Sequence, residues 1–264
     1  MALQTTWFFL WGLLWAIFFM TDGFDFGVGI IYPFLAKSDS DKHIMIRAIG
    51  PLWNGNEVWL IAAIGVTFAA FPIFYSAMFS SLYSPLMIVL FALIIRGVSF
   101  EFRDKVDSKI WKTIWDNAIF IGSFTPALLF GIIFTSIFAG VPIDADGVHC
   151  RNFITPYNVL GGVCFICLFI MHGILWLIYR TYGPIKTRGE ILATKIWPLV
   201  IVFITIFLFM SAIFTNLYDN YIRYPILMLI ILEIIGAASS IRYFLAKKEY
   251  FKSWISSAGF PQKL

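Results

Sequence analysis

Residues 21–29 read Thr21-Asp22-Gly23-Phe24-Asp25-Phe26-Gly27-Val28-Gly29. Two aspartates and three glycines thus sit inside an otherwise apolar run. Before them, residues 7–20 carry no charge, and apolar residues 30–35 follow. Spanning a bilayer helically takes ~20 predominantly apolar residues. The run is long enough, so the aspartates are expected inside a membrane span rather than in a loop. A charge at the bilayer centre costs roughly 2.5–3.5 kcal/mol on insertion scales, so such residues face a bundle interior, a cavity or a partner.

The rest of the 264-residue chain repeats the pattern. It is 60% hydrophobic and only 13% charged, against about 25% charged in soluble domains. Further apolar runs cover 51–71, 78–100, 116–139, 155–179, 195–215 and 224–245, after a first run at 7–31. None alternates with period two, as a membrane β-barrel strand would. The expected fold is all-α: a polytopic bundle of about seven transmembrane helices. Residues 1–249 read as one membrane domain, with a first bundle at 7–139 and a partial second bundle at 155–245. The aromatic and lysine-rich end, 250–264, reads as a cytoplasmic or interfacial tail. The first run has no basic n-region or small-residue cleavage site, so it is not expected to be a removable signal.

The basic residues orient the bundle. Three follow the first span, five lie at and after the end of the third, four between the fifth and sixth, and five after the seventh. Only Arg151 and Arg223 of the 19 fall on the other side. By the positive-inside rule the N-terminus is outside and the C-terminus cytoplasmic. The net charge of +4 then reflects these loops rather than nucleic-acid binding.

This topology brings polar residues from three spans to one depth. From Trp7, at 1.5 Å per residue, Asp22 lies ~22 Å and Asp25 ~27 Å in, both in the cytoplasmic third. The second span opens with Asn54, Asn56 and Glu57, and the third closes with Arg96, Ser99, Glu101 and Arg103. Asp22 and Asp25 share a helix face, as do Asn54 and Glu57. Gly23 and Gly27 form a small-xxx-small pair that lets a neighbouring helix approach closely. The alternative is that Arg96 merely neutralises a carboxylate near the interface. GFDFGVG lacks both the spacing and the preceding strand of a dinucleotide loop.

Other polar residues read blandly. Cys164 and Cys167 form a CxxC inside an apolar helix, without the further ligands a metal or redox site needs, and read as small apolar filler. Cys150, in the 140–154 loop, has no evident partner. His172 is the one intramembrane histidine. A lone histidine there is more often hydrogen-bonded filler than a haem ligand. Glu233, near mid-span, is expected to be neutral by burial or paired with a group outside this chain.

Taken together, TDGFDFGVG (21–29) and GPLWNGNEVWL (50–60), with RGVSFEFR (96–103), GSFTPALLFG (122–131) and TPYNVLGG (155–162), resemble subunit II of the cytochrome bd-type quinol oxidases. The resemblance runs from Trp7 to about Trp254. It implies a terminal respiratory enzyme of the bacterial cytoplasmic (inner) membrane, which oxidises a membrane quinol and reduces dioxygen to water. The partner is subunit I, in a heterodimer. It carries the b and d haems and the quinol-oxidation site, so this chain is expected to bind no haem or metal itself and to hold no catalytic residue. Some members hold a structural quinone, and the resemblance admits a small single-helix accessory subunit. Subunit II is thought to conduct protons from the cytoplasm.

On that reading Asp22, Asp25, Asn54 and Glu57 form the proton path, with Arg96, Glu101 and Arg103 as supporting charges. Asp25, nearest the surface, collects protons and Glu57 is the main relay. A carboxylate held by Arg96 stays ionised and is not expected to be the relay. Two departures stand out. The family usually has an aspartate where this chain has Asn54. Members commonly carry nine helices, and against that number the seven runs read here are expected to lack the last two, as in a truncated product, a fragment or a shortened variant. A purely structural scaffold and an unrelated transporter remain the other readings. A transporter would favour internal repeats and broken helices at the midplane.

Overall fold

The computed structural model describes residues 2–140, 143–144, 147–148 and 153–259. Cys150 and Arg151 lie outside the described residues. The first apolar run is longer than its hydropathy suggested. Helix α1 (Ala2–Thr21) passes into α2 (Gly23–Leu35) with only Asp22 between them. The hydrogen bonds hardly break: Asp22 N donates to Phe18 O at 2.8 Å and Phe26 N to Asp22 O at 2.9 Å. The whole therefore counts as one span, Leu3–Leu35. At 1.5 Å per residue, Asp25 lies ~15 Å before its end, deeper than a span ending at residue 31 would place it.

The loop expected at 36–50 is largely helix α3 (Asp39–Ile49), capped by Ser38 Oγ accepting from Asp41 N at 3.1 Å. Helix α4 (Trp53–Ala70) is the second span. Pro72 opens α5 (Pro72–Ser81), which turns 119° away from α4. The expected span at 78–100 therefore starts late, as α6 (Tyr83–Phe102). Proline lacks the N–H that would carry α4 onward. Helix α7 (Lys109–Phe138) starts before the expected residue 116, which leaves Asp116 inside it. A two-residue ladder pairs β1 (Ile143–Asp144) with β2 (Gly147–Val148). Helices α8 (Pro156–Arg180), α9 (Pro184–Phe214), α10 (Leu217–Arg223), α11 (Met228–Ala246) and α12 (Tyr250–Ala258) complete the chain. A single 3-10 turn, Pro225–Leu227, leads into α11.

Among the described residues six helical segments are long and apolar enough to cross a membrane, or seven with the bent α4–α5 pair. That is the expected architecture. Two apolar cores hold it. An aromatic one joins α1, α2, α4, α6, α7 and α8 through Phe18, Phe19, Phe26, Phe130, Phe165 and Phe169. The other gathers α2, α3, α8, α9 and α11 around Val28, Leu175, Ile204 and Ile241. Helices α2 and α8 belong to both.

Glycine makes that junction. A Cβ on Gly27 would stand 1.8 Å from Phe169 O, and one on Gly173 would stand 2.5 Å from Val28 N. The two backbones are in contact, so only glycine fits at either point. The small-xxx-small reading of Gly23 and Gly27 holds, with α8 as the neighbour: a Cβ on Gly23 would meet the Phe169 ring at 2.8 Å. Helix α12 folds back on α8 and α11 and buries Ser253, Ser257 and Ala258.

Candidate functional site

Arg96, on α6, is the centre of the site. It is wholly buried, and its guanidinium carbon lies 4.3 Å from the centroid of the Phe26 ring. Its Nη2 donates to Asp22 Oδ1 at 2.8 Å and Oδ2 at 3.0 Å, and to Glu57 Oε1 at 2.7 Å. One guanidinium therefore holds carboxylates from the first and second spans. A buried charge of this kind persists only when paired and hydrogen-bonded.

Asp25 is held differently. One oxygen, Oδ2, accepts from Asn56 Nδ2 at 2.8 Å, and the same amide donates to Thr21 O at 2.9 Å, beside the α1–α2 interruption. Asp25 makes no ion pair among the described residues. Its Oδ1 is buried without a partner, as are Arg96 Nε and Nη1. Orphaned buried polar atoms of this sort are where internal water binds, since each water needs two or more polar neighbours. Asp25 is thus held by an amide, whereas Asp22 and Glu57 share the Arg96 guanidinium.

The predicted residues do not all meet. Asp22, Asp25, Glu57 and Arg96 come together. Asn54 is exposed and takes no part in the cluster, and Asn56 occupies the inward position instead. The buried positions of α4 are Leu60, Ala63 and Thr67, a helical stripe that extends back to Asn56 and not to Asn54. That spacing was the available signal. Asp25, expected near the surface, is fully buried, while the Glu57 side chain keeps 22% of its exposure. Glu57, expected as the relay, is bound to Arg96. Glu101 is exposed. Glu233 is exposed on α11, not buried.

Arg103 belongs to a second network, two turns further along α6. Its Nε donates to Asp116 Oδ1 at 2.6 Å, Nη1 to Asp104 Oδ1 at 2.8 Å and Nη2 to Asp39 Oδ1 at 2.5 Å. Asp116 also accepts from Tyr32 Oη and Lys42 Nζ, each at 2.6 Å. The Arg103 hydrogen bond holds Asp39 down at about 2, against a smaller opposing effect of burial. The sequence reading missed Asp116 because it stood at an expected helix boundary.

His172 is fully buried, but its Nδ1 lies 2.7 Å from Ser257 Oγ and its Nε2 2.9 Å from Met20 O. The ring also stacks on Trp254, centroids 5.5 Å apart. Both nitrogens are engaged, so His172 does not fit an axial ligand. His43 pairs with Asp39 and Asp104 outside the spans. Cys164 and Cys167 remain free thiols in α8. Among the described residues no group of three or more His, Cys, Asp or Glu could hold a metal ion.

Comparison with known proteins bears on this arrangement. The family described as cytochrome bd terminal oxidase subunit II matches residues 3–261. Cytochrome bd ubiquinol oxidase subunit 2 of Bacillus subtilis (strain 168) is 40% identical over 263 residues, covering 98% of this chain and 77% of that protein. Cytochrome bd-I ubiquinol oxidase subunit 2 of Escherichia coli (strain K12) is 40% identical over 194 residues, covering 71% of this chain and 51% of that protein. The chain thus spans about half the length of the Escherichia coli relative. The solved bd oxidase from Geobacillus thermodenitrificans superposes with a TM-score of 0.81 at 16% identity, over 98% of this chain and 81% of that one. That likeness is one of fold.

Proposed function

The chain belongs to the cytochrome bd terminal oxidase subunit II family, and from that premise we propose that it conducts protons into a membrane-bound ubiquinol oxidase, with Asp25 as the group that holds them. Reduction of dioxygen to water consumes protons within the membrane, so a polar route through hydrocarbon is required. The observation that carries the reading is the state of Asp25. It is fully buried and held by a neutral amide, and its Oδ1, like Nε and Nη1 of Arg96, has no hydrogen-bond partner among the described residues. Ordered water between such atoms would form the conducting file. A purely structural role accounts for Asp22 and Glu57 through Arg96, but not for Asp25.

The remaining assignments rest on the family and on charge. The b and d haems and the quinol-oxidation chemistry are placed in subunit I, bound to this chain as a heterodimer, with a small single-helix accessory subunit as a third component. The basic loops face the cytoplasm of a bacterial inner membrane. Residues 7–139 make the first bundle and 155–245 part of the second. A cavity of about 570 Å3 lined by Trp11, Trp15, Phe19, Phe74, Phe134 and Phe165 has the apolar walls that a structural quinone's prenyl tail requires.

Asp25→Asn tests the proposal, because it keeps shape and removes titration. The purified complex is expected to show an unchanged haem spectrum and a ubiquinol-dependent oxygen uptake about tenfold lower or more. A normally assembled variant with the wild-type rate would overturn it.

A further inference from the structure

A second cavity, of about 510 Å3, opens where α2 runs into α3 and α7 begins. It is separate from the Arg96 cluster and is walled by charge. Its three carboxylates, Asp39, Asp107 and Asp116, are already matched: Asp116 by Arg103 and Lys42, Asp39 by Arg103 and Lys112, Asp107 by Lys112. Two further cations line it, Lys37 and Lys109, and neither side chain has a partner among the described residues. The cavity therefore holds two uncompensated positive charges.

An apolar track leads away from it into the membrane-spanning surface. Ile110, Ile114, Asn117 and Ile121 recur at helical spacing on α7. Asn117 lines the cavity, and the three isoleucines are 75%, 56% and 55% exposed. Across the groove Phe34 of α2 is 71% exposed, and its ring meets that of Phe120 with centroids 6.0 Å apart. A charged cup joined to an exposed apolar strip is complementary to a molecule with an anionic head and hydrocarbon chains.

We propose that this cavity binds the phosphate headgroup of an anionic phospholipid, with Lys37 and Lys109 as its cationic contacts and the Phe34–Ile114–Ile121 strip beneath its acyl chains. The uncompensated charge selects a head with net negative charge. A zwitterionic lipid would bring its own cation against the two lysines. Free inorganic phosphate shares the head chemistry but makes no use of the strip. The inference does not depend on the proton-path reading.

The test uses the purified oxidase complex in nanodiscs containing phosphatidylglycerol and phosphatidylcholine, transferred to native mass spectrometry. Wild type is expected to retain phosphatidylglycerol in preference to phosphatidylcholine. The double variant Lys37→Gln/Lys109→Gln breaks no ion pair and is expected to cut that retention about tenfold or more, since each lysine near an anionic headgroup adds to binding. Lys195→Gln/Lys248→Gln removes the same charge at exposed positions that do not line the cavity and should leave retention unchanged. Equal retention by wild type and Lys37→Gln/Lys109→Gln, or equal retention of both lipids, overturns the proposal. So does displacement of the lipid by inorganic phosphate alone, which would make the cavity a free-anion site.

Discussion

Arg96 donates to both carboxylate oxygens of Asp22, at 2.8 and 3.0 Å, although 74 positions separate the two residues in the chain. The bond ties the third span to the first where neither side chain reaches solvent. Glu57 shares the same guanidinium at 2.7 Å. The pairing removes the penalty of an isolated charge, and it makes the three residues interdependent.

Arg96→Met should therefore be severe. It leaves two carboxylates around an apolar side chain, and breaking a buried pair costs about 3–5 kcal/mol. Little assembled complex is expected by fluorescence size-exclusion chromatography. The triple variant Asp22→Asn/Glu57→Gln/Arg96→Met removes all three charges and should recover much of the yield, because replacing a whole buried ion set is often close to neutral. If the triple variant is no better than Arg96→Met alone, uncompensated charge is not what Arg96→Met suffers from.

Asn56 should matter and Asn54 should not. Asn56→Leu removes the amide hydrogen bond to Asp25 Oδ2 and leaves that oxygen buried, at a cost of about 1–3 kcal/mol. Thermal stability should fall, and the pH profile of oxygen uptake should move, because the carboxyl proposed to hold the proton has lost its donor. Asn54→Ala changes an exposed side chain and should stay within about 0.5 kcal/mol of wild type. Equal effects of the two substitutions would remove Asn56 from its positioning role.

Acid should loosen the face that carries α3. Arg103 holds Asp39 near 2, below its ordinary 3.8. A lowered carboxyl stabilises the fold fully above its unfolded value, and the contribution is lost as pH falls through the folded value. The melting temperature should thus decline between pH 3.8 and about 2, and Asp39→Asn should flatten that limb. The side chain is 49% exposed, so screening keeps the effect small and salt should reduce it further. Identical acid limbs in wild type and Asp39→Asn would show that the pair contributes nothing.

Orientation is open to labelling. Ile154, 76% exposed, precedes α8, and Tyr182, 83% exposed, follows it. In a background without native cysteines, Ile154→Cys should react with an impermeant thiol reagent added to intact cells and Tyr182→Cys should not. The reverse pattern would invert the bundle and place the charged networks on the outer side.

Much of this was legible in the amino-acid sequence because hydrophobic burial in a bilayer is written locally. The six or seven spans, the all-α class, the charge asymmetry of the loops and the close approach at Gly23 and Gly27 all follow from which residues stand within a few turns of one another. So does the meeting of Asp22, Asp25, Glu57 and Arg96 at one depth, since rise per residue converts sequence position into depth. What sequence position does not contain is rotation. Each residue turns a helix by about 100°, so Asn54 and Asn56 sit at nearly the same depth on different faces, and packing against α1 and α2 selects Asn56. Chemically equivalent carboxylates likewise become different only in three dimensions. Arg96 comes within hydrogen-bond distance of Asp22 and Glu57 and leaves Asp25 to an amide, while Arg103 is drawn to Asp116 on α7. Those choices depend on differences of an ångström or two between helices far apart in the chain, and only the packed bundle sets them.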